Sequence, residues 1–253
     1  MDKQKRIKLY PGIYLADYGF EKNAVASRQR IALETLQQKK PVIVVEVGCG
    51  ADLLYKKALK ARLSIKQWII VEPSAKFAQV AKRSAQKKIP LFVIQNFLED
   101  AAQDIREITH GPIDFIVCTG LLHEVPNPDE LLRAARSLLS RKGTIHINVS
   151  NGNSLHRRLA KAMGLIKDVK AFSRRNKQLM QHHVFDLRSL TNLVISQGFA
   201  IAGSGGCLLK PFSNSQMDSI KKVLTAPVME GLFILGRKYP ELANEIFINA
   251  RLR

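Results

Sequence analysis

The stretch VVEVGCGAD, residues 44–52, runs an apolar segment into Gly48 and Gly50, with Glu46 just before them and Asp52 just after. Glycines at this spacing let the backbone approach a ligand closely and present amide N–H groups to it. Three ligand chemistries use such a turn. A dinucleotide cradle needs a third glycine three residues after the second, and Leu53 stands there instead. A triphosphate loop closes on a lysine and a hydroxyl residue, and GCGADLLY has neither. Carboxylates at Glu46 and Asp52 oppose a pyrophosphate, so the loop suits a ligand with a positive end. A further carboxylate, Glu72, ends the apolar run of QWIIVEPS, 22 residues after Gly50. Its place at a strand end suits hydrogen bonding to a ribose.

These residues need strands to hold them. Apolar runs at 41–48, 67–74, 90–97, 113–120 and 143–151 read as five strands. Helical spacing over 52–63, 75–88 and 129–142 fills the gaps, giving the βαβ alternation of a mostly parallel sheet. Pro128 and Asp129 fit the start of the last of these helices, and Gly143 fits its stop. Beyond residue 150, helices are expected at 153–166 and 186–198, and strands at 199–212 and 245–252. Two late strands around a helical insertion suit an antiparallel edge. Residues 1–40 are expected to form a helical cap, and 41–253 one domain with insertions at 151–186 and 213–244 beside the acceptor.

With 253 residues and 46% apolar content, the chain is sized for one large α/β domain. It contains no run of eighteen apolar residues, and MDKQKRIKLY lacks the apolar stretch of a signal peptide, so a cytoplasmic protein is expected. Cys49, Cys118 and Cys207 are too scattered for a disulfide framework or a zinc site, and no metal is expected. Forty basic residues against 21 acidic ones leave +19, which favours encounter with anionic partners.

Glu46, Gly48 and Gly50 resemble the glycine-rich motif of class I SAM-dependent methyltransferases, with Asp52 where that motif carries its last glycine. Further along, IDFIVCTGLLHEVPNPDELLRAARSLLSRKGTIHI is similar to the family's region after strand four, with His123, Pro128, Leu131, Leu132 and Gly143 at its landmarks. The resemblance covers roughly residues 40–150 and is weaker to 212. It implies an α/β Rossmann-like fold, a seven-stranded mostly parallel sheet with an antiparallel C-terminal edge and helices on both faces. It implies S-adenosyl-L-methionine (SAM) as cofactor, held by Glu46, Gly48, Cys49 and Gly50, with Glu72 and Pro73 at the ribose. Asn96, Phe97 and Leu98 would surround the adenine, with Glu99 or Asp100 near its amine. Thr119, Gly120 and Leu121 complete the set.

Methyl transfer to a hydroxyl calls for a base, and histidine suits that role near neutral pH. His123, beside Glu124, His156, His182 and His183 are the candidates at the sheet's C-terminal edge. The stretches SNGNSLHRRLAKAMGLI, HHVFDLRSL and GGCLLKPFSNSQM resemble a bacterial methyltransferase subgroup associated with sugar, polysaccharide and secondary-metabolite clusters, which makes residues 151–186 and 205–217 the expected acceptor pocket. A small-molecule acceptor is therefore expected, methylated on a hydroxyl oxygen, and the basic residues 157–177 are compatible with an anionic one. RNA methylation through the basic surface, or SAM binding without turnover, are the alternatives.

Overall fold

The computed structural model describes residues 3–16, 18–109 and 111–253; residues 1, 2 and 17 of the expected cap lie outside them. The apolar runs form the strands β1 (Ile43–Val47), β2 (Gln67–Val71), β3 (Leu91–Ile94), β4 (Ile113–Thr119), β5 (Leu139–Ser150), β6 (Phe199–Cys207) and β7 (Glu245–Leu252). Side chains of the central β1, β2 and β4 are covered on both faces, whereas the edge strands β3 and β6 keep exposed positions such as Phe92 and Ser204. They make one sheet in the order β3-β2-β1-β4-β5-β7-β6. The first five pair in parallel, and β7 runs antiparallel to both β5 and β6. This is the expected Rossmann-like architecture. Because β1 lies between β2 and β4, the winding reverses there, and a crevice opens beyond the carboxyl ends of β1 and β4.

Period-two alternation sends side chains to opposite faces. Val44, Trp68, Ile70 and Phe115 pack under α2 (Glu21–Lys39), α3 (Leu54–Lys60) and α4 (Ala75–Lys82). Val45, Ile69, Ile116 and Ile147 pack under α5 (Ala102–Thr109), α6 (Pro128–Leu138) and α9 (Leu187–Ser196). Right-handed crossovers thus place α3 and α4 on one face, with Lys56, Lys60, Lys82 and Arg83 exposed. Ahead of α2 lies α1 (Lys3–Ala16). The later helices are α7 (Leu155–Ala162), α8 (Arg174–Gln178), α10 (Asn214–Ser219) and α11 (Ala226–Lys238).

Gly143 does not stop α6. The helix ends at Leu138, and β5 begins at once with Leu139 paired to Ile113. The next pair is Phe115 with Thr144, so Ser140–Gly143 form an irregular bulge. A Cβ on Gly143 would stand 2.8 Å from the Ile113 carbonyl oxygen, which is why glycine sits inside this strand. The strand expected over 199–212 ends at Cys207.

At Gly236, α11 crosses the end of β6, and a Cβ there would stand 2.7 Å from the Cys207 carbonyl carbon. Gly236→Ala is expected to cost about 2 kcal/mol through overpacking against backbone, lowering the melting temperature by roughly 6 °C. Nothing lies within 4 Å of a Cβ at Gly231 in the same helix. Gly231→Ala should therefore raise it slightly through helix propensity. Thermal unfolding of the pair tests the contact.

Candidate functional site

Over the crevice lies a cavity of about 940 Å³, roofed by α1 and the start of α2 and walled by the 151–186 segment. That is the upper end of the roughly 300–1,000 Å³ of ligand pockets, enough for two small molecules side by side.

The first end is the glycine turn. Gly48 and Gly50 adopt φ values of 71° and 58°, in the left-handed region. A Cβ on Gly48 would press on Leu121 at 3.2 Å, so that glycine lets the turn close on the loop after β4. Nothing lies within 4 Å of a Cβ on Gly50, whose backbone opens to the cavity. The Glu72 carboxylate is buried beneath, accepting from Gly50 N at 3.4 Å and Ser74 N at 2.8 Å. Burial raises its pKa, and those N–H groups oppose the shift. Cys49 and Pro73 line the same end, with Asn96, Phe97, Leu98 and Glu99 beyond β3, Thr119 at the end of β4, and Gly120 and Leu121 beyond it. Asp100 is exposed and does not line the cavity.

Glu46 does not line it either, and the sequence reading is corrected there. Its carboxylate points back into the core, accepting from Leu54 N at 3.1 Å and from Trp68 Nε1 at 3.0 Å. Leu53, at the N-cap of α3, offers no side-chain cap. Glu46 thus caps α3 from the preceding strand, and burial pushes its pKa up to about 7. Of the two flanking acids only Asp52 reaches the cavity, where Tyr18 Oη donates to its Oδ2 and Gln29 Nε2 to its carbonyl.

The four candidate histidines all line the cavity. Three share one wall, because the backbone N–H groups of His182 and His183 both donate to the His123 carbonyl, at 2.9 and 3.2 Å. Buried His123 has no partner for Nδ1 among the described residues, and its Nε2 stands 3.9 Å from Glu124 Oε1. Burial, with the charges of Arg28 and Arg6, depresses its pKa to about 3. His183 Nε2 meets the Pro126 carbonyl at 3.2 Å, and burial lowers the pKa of His182. His156 stands apart at the start of α7, its Nδ1 3.1 Å from Ser154 Oγ. Burial, Lys210 and Arg157 hold it down to about 3.

Glu124, which the sequence places with His123 just beyond β4 but does not single out as a base, has a pKa suited to proton transfer near neutral pH. Tyr10 Oη donates to its Oε1 at 2.8 Å and Gln181 Nε2 at 3.4 Å. Burial pushes its carboxyl up to about 7. The helical cap expected over residues 1–40 roofs the cavity, but the sequence reading named none of its side chains. Tyr10, Tyr14 and Tyr18 recur every four residues, a spacing that marks one helix face, and their rings form a column with centroids 5.6 and 5.3 Å apart. Behind Tyr14 lies the Arg28 guanidinium, on a side chain 11% exposed, bonded to Glu245 at 2.5 Å, Glu21 at 3.2 Å and Tyr14 Oη at 3.3 Å. Burial works against its charge, but Glu245, Tyr14 and Glu21 outweigh it and raise its pKa.

Several known proteins similar to this chain are methyltransferases. Residues 18–202 match the family described as "Methyltransferase domain". Ubiquinone biosynthesis O-methyltransferases are distant relatives. That of Ralstonia nicotianae is 25% identical over 127 residues, covering 49% of this chain and 51% of the relative. That of Cupriavidus pinatubonensis is 24% identical over 110 residues, covering 44% and 42%. The chain thus spans about half the length of the curated relatives it matches. Among solved structures, the plantazolicin methyltransferase BamL, in complex with a triazolic desmethylPZN analog and SAH, superposes with a TM-score of 0.62 at 14% identity. That match covers 98% of this chain and 96% of that one. An S-adenosylmethionine-dependent methyltransferase from Mesorhizobium loti gives a TM-score of 0.55 at 14% identity, over 86% and 96%. The fold, the glycine turn over Glu72 and the family match over most of its length agree: the chain belongs to the class I SAM-dependent methyltransferases.

Proposed function

We propose that the protein moves a methyl group from SAM to a hydroxyl oxygen of a small molecule held under the α1 roof. The observation that carries this reading is one shared cavity, with the Gly50–Glu72 end opposite the His123–Glu124 wall. The first end fits the cofactor. Gly50 leaves space for a ligand against its backbone, and Glu72 presents a carboxylate that suits paired hydroxyls. Asn96, Phe97, Leu98 and Glu99 would flank an adenine there. The cofactor, when bound, supplies a methyl group already activated on a sulfonium. What the chain must add is alignment, exclusion of water and a place for the acceptor's proton.

The best-matched acceptor for that proton is Glu124. A phenol-like hydroxyl, with a pKa near 10, lies about 3 units above it, a gap of roughly 4 kcal/mol. An alkyl hydroxyl, near the 15.7 of water, lies about 9 units above it, or roughly 12 kcal/mol. An acidic hydroxyl, such as a phenol or enol, is therefore favoured over a sugar hydroxyl. His123 and His156, held at about 3, are weaker bases than their residue type suggests. Oxygen as the methylated atom accords with the curated relatives, which are O-methyltransferases by name.

Turnover of labelled SAM on a metabolite extract and on total RNA tests the acceptor class, with the label expected in a small product and not in RNA. Glu124→Gln should lower kcat about a hundredfold, as loss of a general base does. With wild type, kcat/KM should rise with pH through about 7 and then level off, because the base acts deprotonated. A nitrogen acceptor already neutral at this pH, which reacts through its lone pair with no proton to lose first, would show neither effect.

A further inference from the structure

The outer wall of the cavity has an apolar face that nothing among the described residues covers. Helix α7 is eight residues long and buries none of them. Its inner side, with His156, Arg157 and Ala160, lines the cavity. Leu159 and Met163, four residues apart, point away from it and are 37% and 62% exposed. Gly164, at φ 74°, turns the chain, and Leu165 follows at 70% exposed, then Phe172 at 43%. Four large apolar side chains thus project from one fourteen-residue stretch, where a solvated surface loop would carry polar ones.

Cations surround them. Between residues 153 and 185 the only acidic residue is Asp168, against eight lysines and arginines. Arg157 is tied inward to the carbonyls of Val169 and Ala171, and Lys170 pairs with Asp186 at 2.6 Å. Among the described residues, Arg158, Lys161, Lys167, Arg174 and Lys177 have no acidic partner.

We propose that α7 and the loop to α8 dock on an anionic lipid surface, with Leu159, Met163, Leu165 and Phe172 entering the headgroup layer and the flanking lysines and arginines meeting lipid phosphates. Low overall hydropathy, apolar side chains on one side and cations beside them are the signature of a helix lying in the interface plane. The charge complementarity extends to the whole molecule, whose net charge is +19. No helix among the described residues is long and apolar enough to cross a membrane, so the contact is peripheral. A nucleic acid would engage the cations and leave the four apolar side chains in water, which disfavours it as the occupant. Ala160, Ile166 and Ala171 of the same segment line the cavity, so docking sets its mouth against the headgroups. Delivery of an amphiphilic acceptor by this route rests on the methyltransferase reading above; the docking itself does not.

Co-sedimentation with phosphatidylcholine vesicles, with and without phosphatidylglycerol, tests the proposal. The protein should sediment with the anionic vesicles and dissociate as salt is raised. Met163→Ser combined with Leu165→Ser should weaken binding about tenfold, and Lys161→Gln combined with Lys167→Gln by a similar factor. Melting temperature and SAM affinity should be unchanged in both. Cys49, Cys118 and Cys207 are all buried, so Met163→Cys offers one accessible thiol for a polarity-sensitive fluorophore. Its emission should shift to the blue on anionic vesicles. Absence of vesicle binding, binding indifferent to residues 163 and 165, or a fluorophore that stays in water would overturn the proposal, and retention on RNA without vesicle binding would assign the cations to nucleic acid. Vesicle binding with no transfer to any hydroxyl would leave docking standing and overturn the acceptor reading.

Discussion

Gly50→Arg is expected to abolish SAM binding while leaving the fold in place. The two glycines of the turn do different work. Gly48 faces Leu121, so a side chain there strains the packing between two loops, whereas Gly50 faces open cavity. A non-glycine residue at the Gly50 φ of 58° costs about 1 kcal/mol in backbone strain. Such a variant therefore melts only a few degrees early. The arginine side chain, however, must extend into the space above Glu72, and its charge sets a guanidinium against a ligand bearing a sulfonium and an ammonium. Affinity should fall by at least about a hundredfold, near 3 kcal/mol. Gly50→Ala separates strain from obstruction, and should keep SAM affinity within about tenfold. Calorimetric titration with SAM, beside thermal unfolding, reads both quantities. Undiminished binding to Gly50→Arg would place the cofactor elsewhere.

Much of this site is legible in the sequence because it rests on local rules. Strands buried on both faces read as continuous apolar runs, as VIVV and WIIV do. The residues after each strand's C-terminal end then fall at the crevice by topology alone. Gly48, Gly50, Glu72 and the loops after β3 and β4 were found that way. What was misread depends on partners distant in sequence. Leu139–Gly143 look like a helix tail because Arg141 and Lys142 continue the polar spacing, yet pairing with Ile113 draws the segment into the sheet. Glu46 looks like a ligand group because it adjoins the turn, but its acceptors are consumed by Trp68 and the uncapped start of α3. Glu124 gives no sign in the sequence that burial and Tyr10 set its proton affinity. Arg28 gives none at all, since a charge on a long helix reads as solvated and Glu245 lies 217 residues away.

Arg28→Met should produce the largest loss of stability of any substitution considered, and that loss should depend on pH. The guanidinium joins α2 to the first residue of β7 and lies against Gly120, where a Cβ would stand 3.3 Å from its Cζ. Removing it leaves the buried Glu245 without its counter-ion, and breaking one side of a buried pair costs about 3–5 kcal/mol. Glu245 Oε2 already has no hydrogen-bond partner among the described residues. In wild type, burial raises the Glu245 pKa above 4.5 and Arg28 opposes the shift. Without Arg28 the folded-state value climbs further. A carboxyl whose pKa is raised on folding favours the folded state most below the unfolded value, and that contribution is lost as pH rises through the folded one. The deficit of Arg28→Met should therefore be greatest at neutral pH and above, and shrink as pH falls toward about 5. Adding Glu245→Gln should recover part of it, because the neutral amide needs no counter-ion. Arg28→Lys should fall between wild type and Arg28→Met, since one ammonium cannot reproduce the fork that meets Glu21, Glu245 and Tyr14 together. Urea titrations across this pH range measure all four proteins. A deficit that stays constant with pH, or that Glu245→Gln fails to relieve, would mean that Arg28 acts through packing over Gly120 and not as the counter-ion of a buried acid.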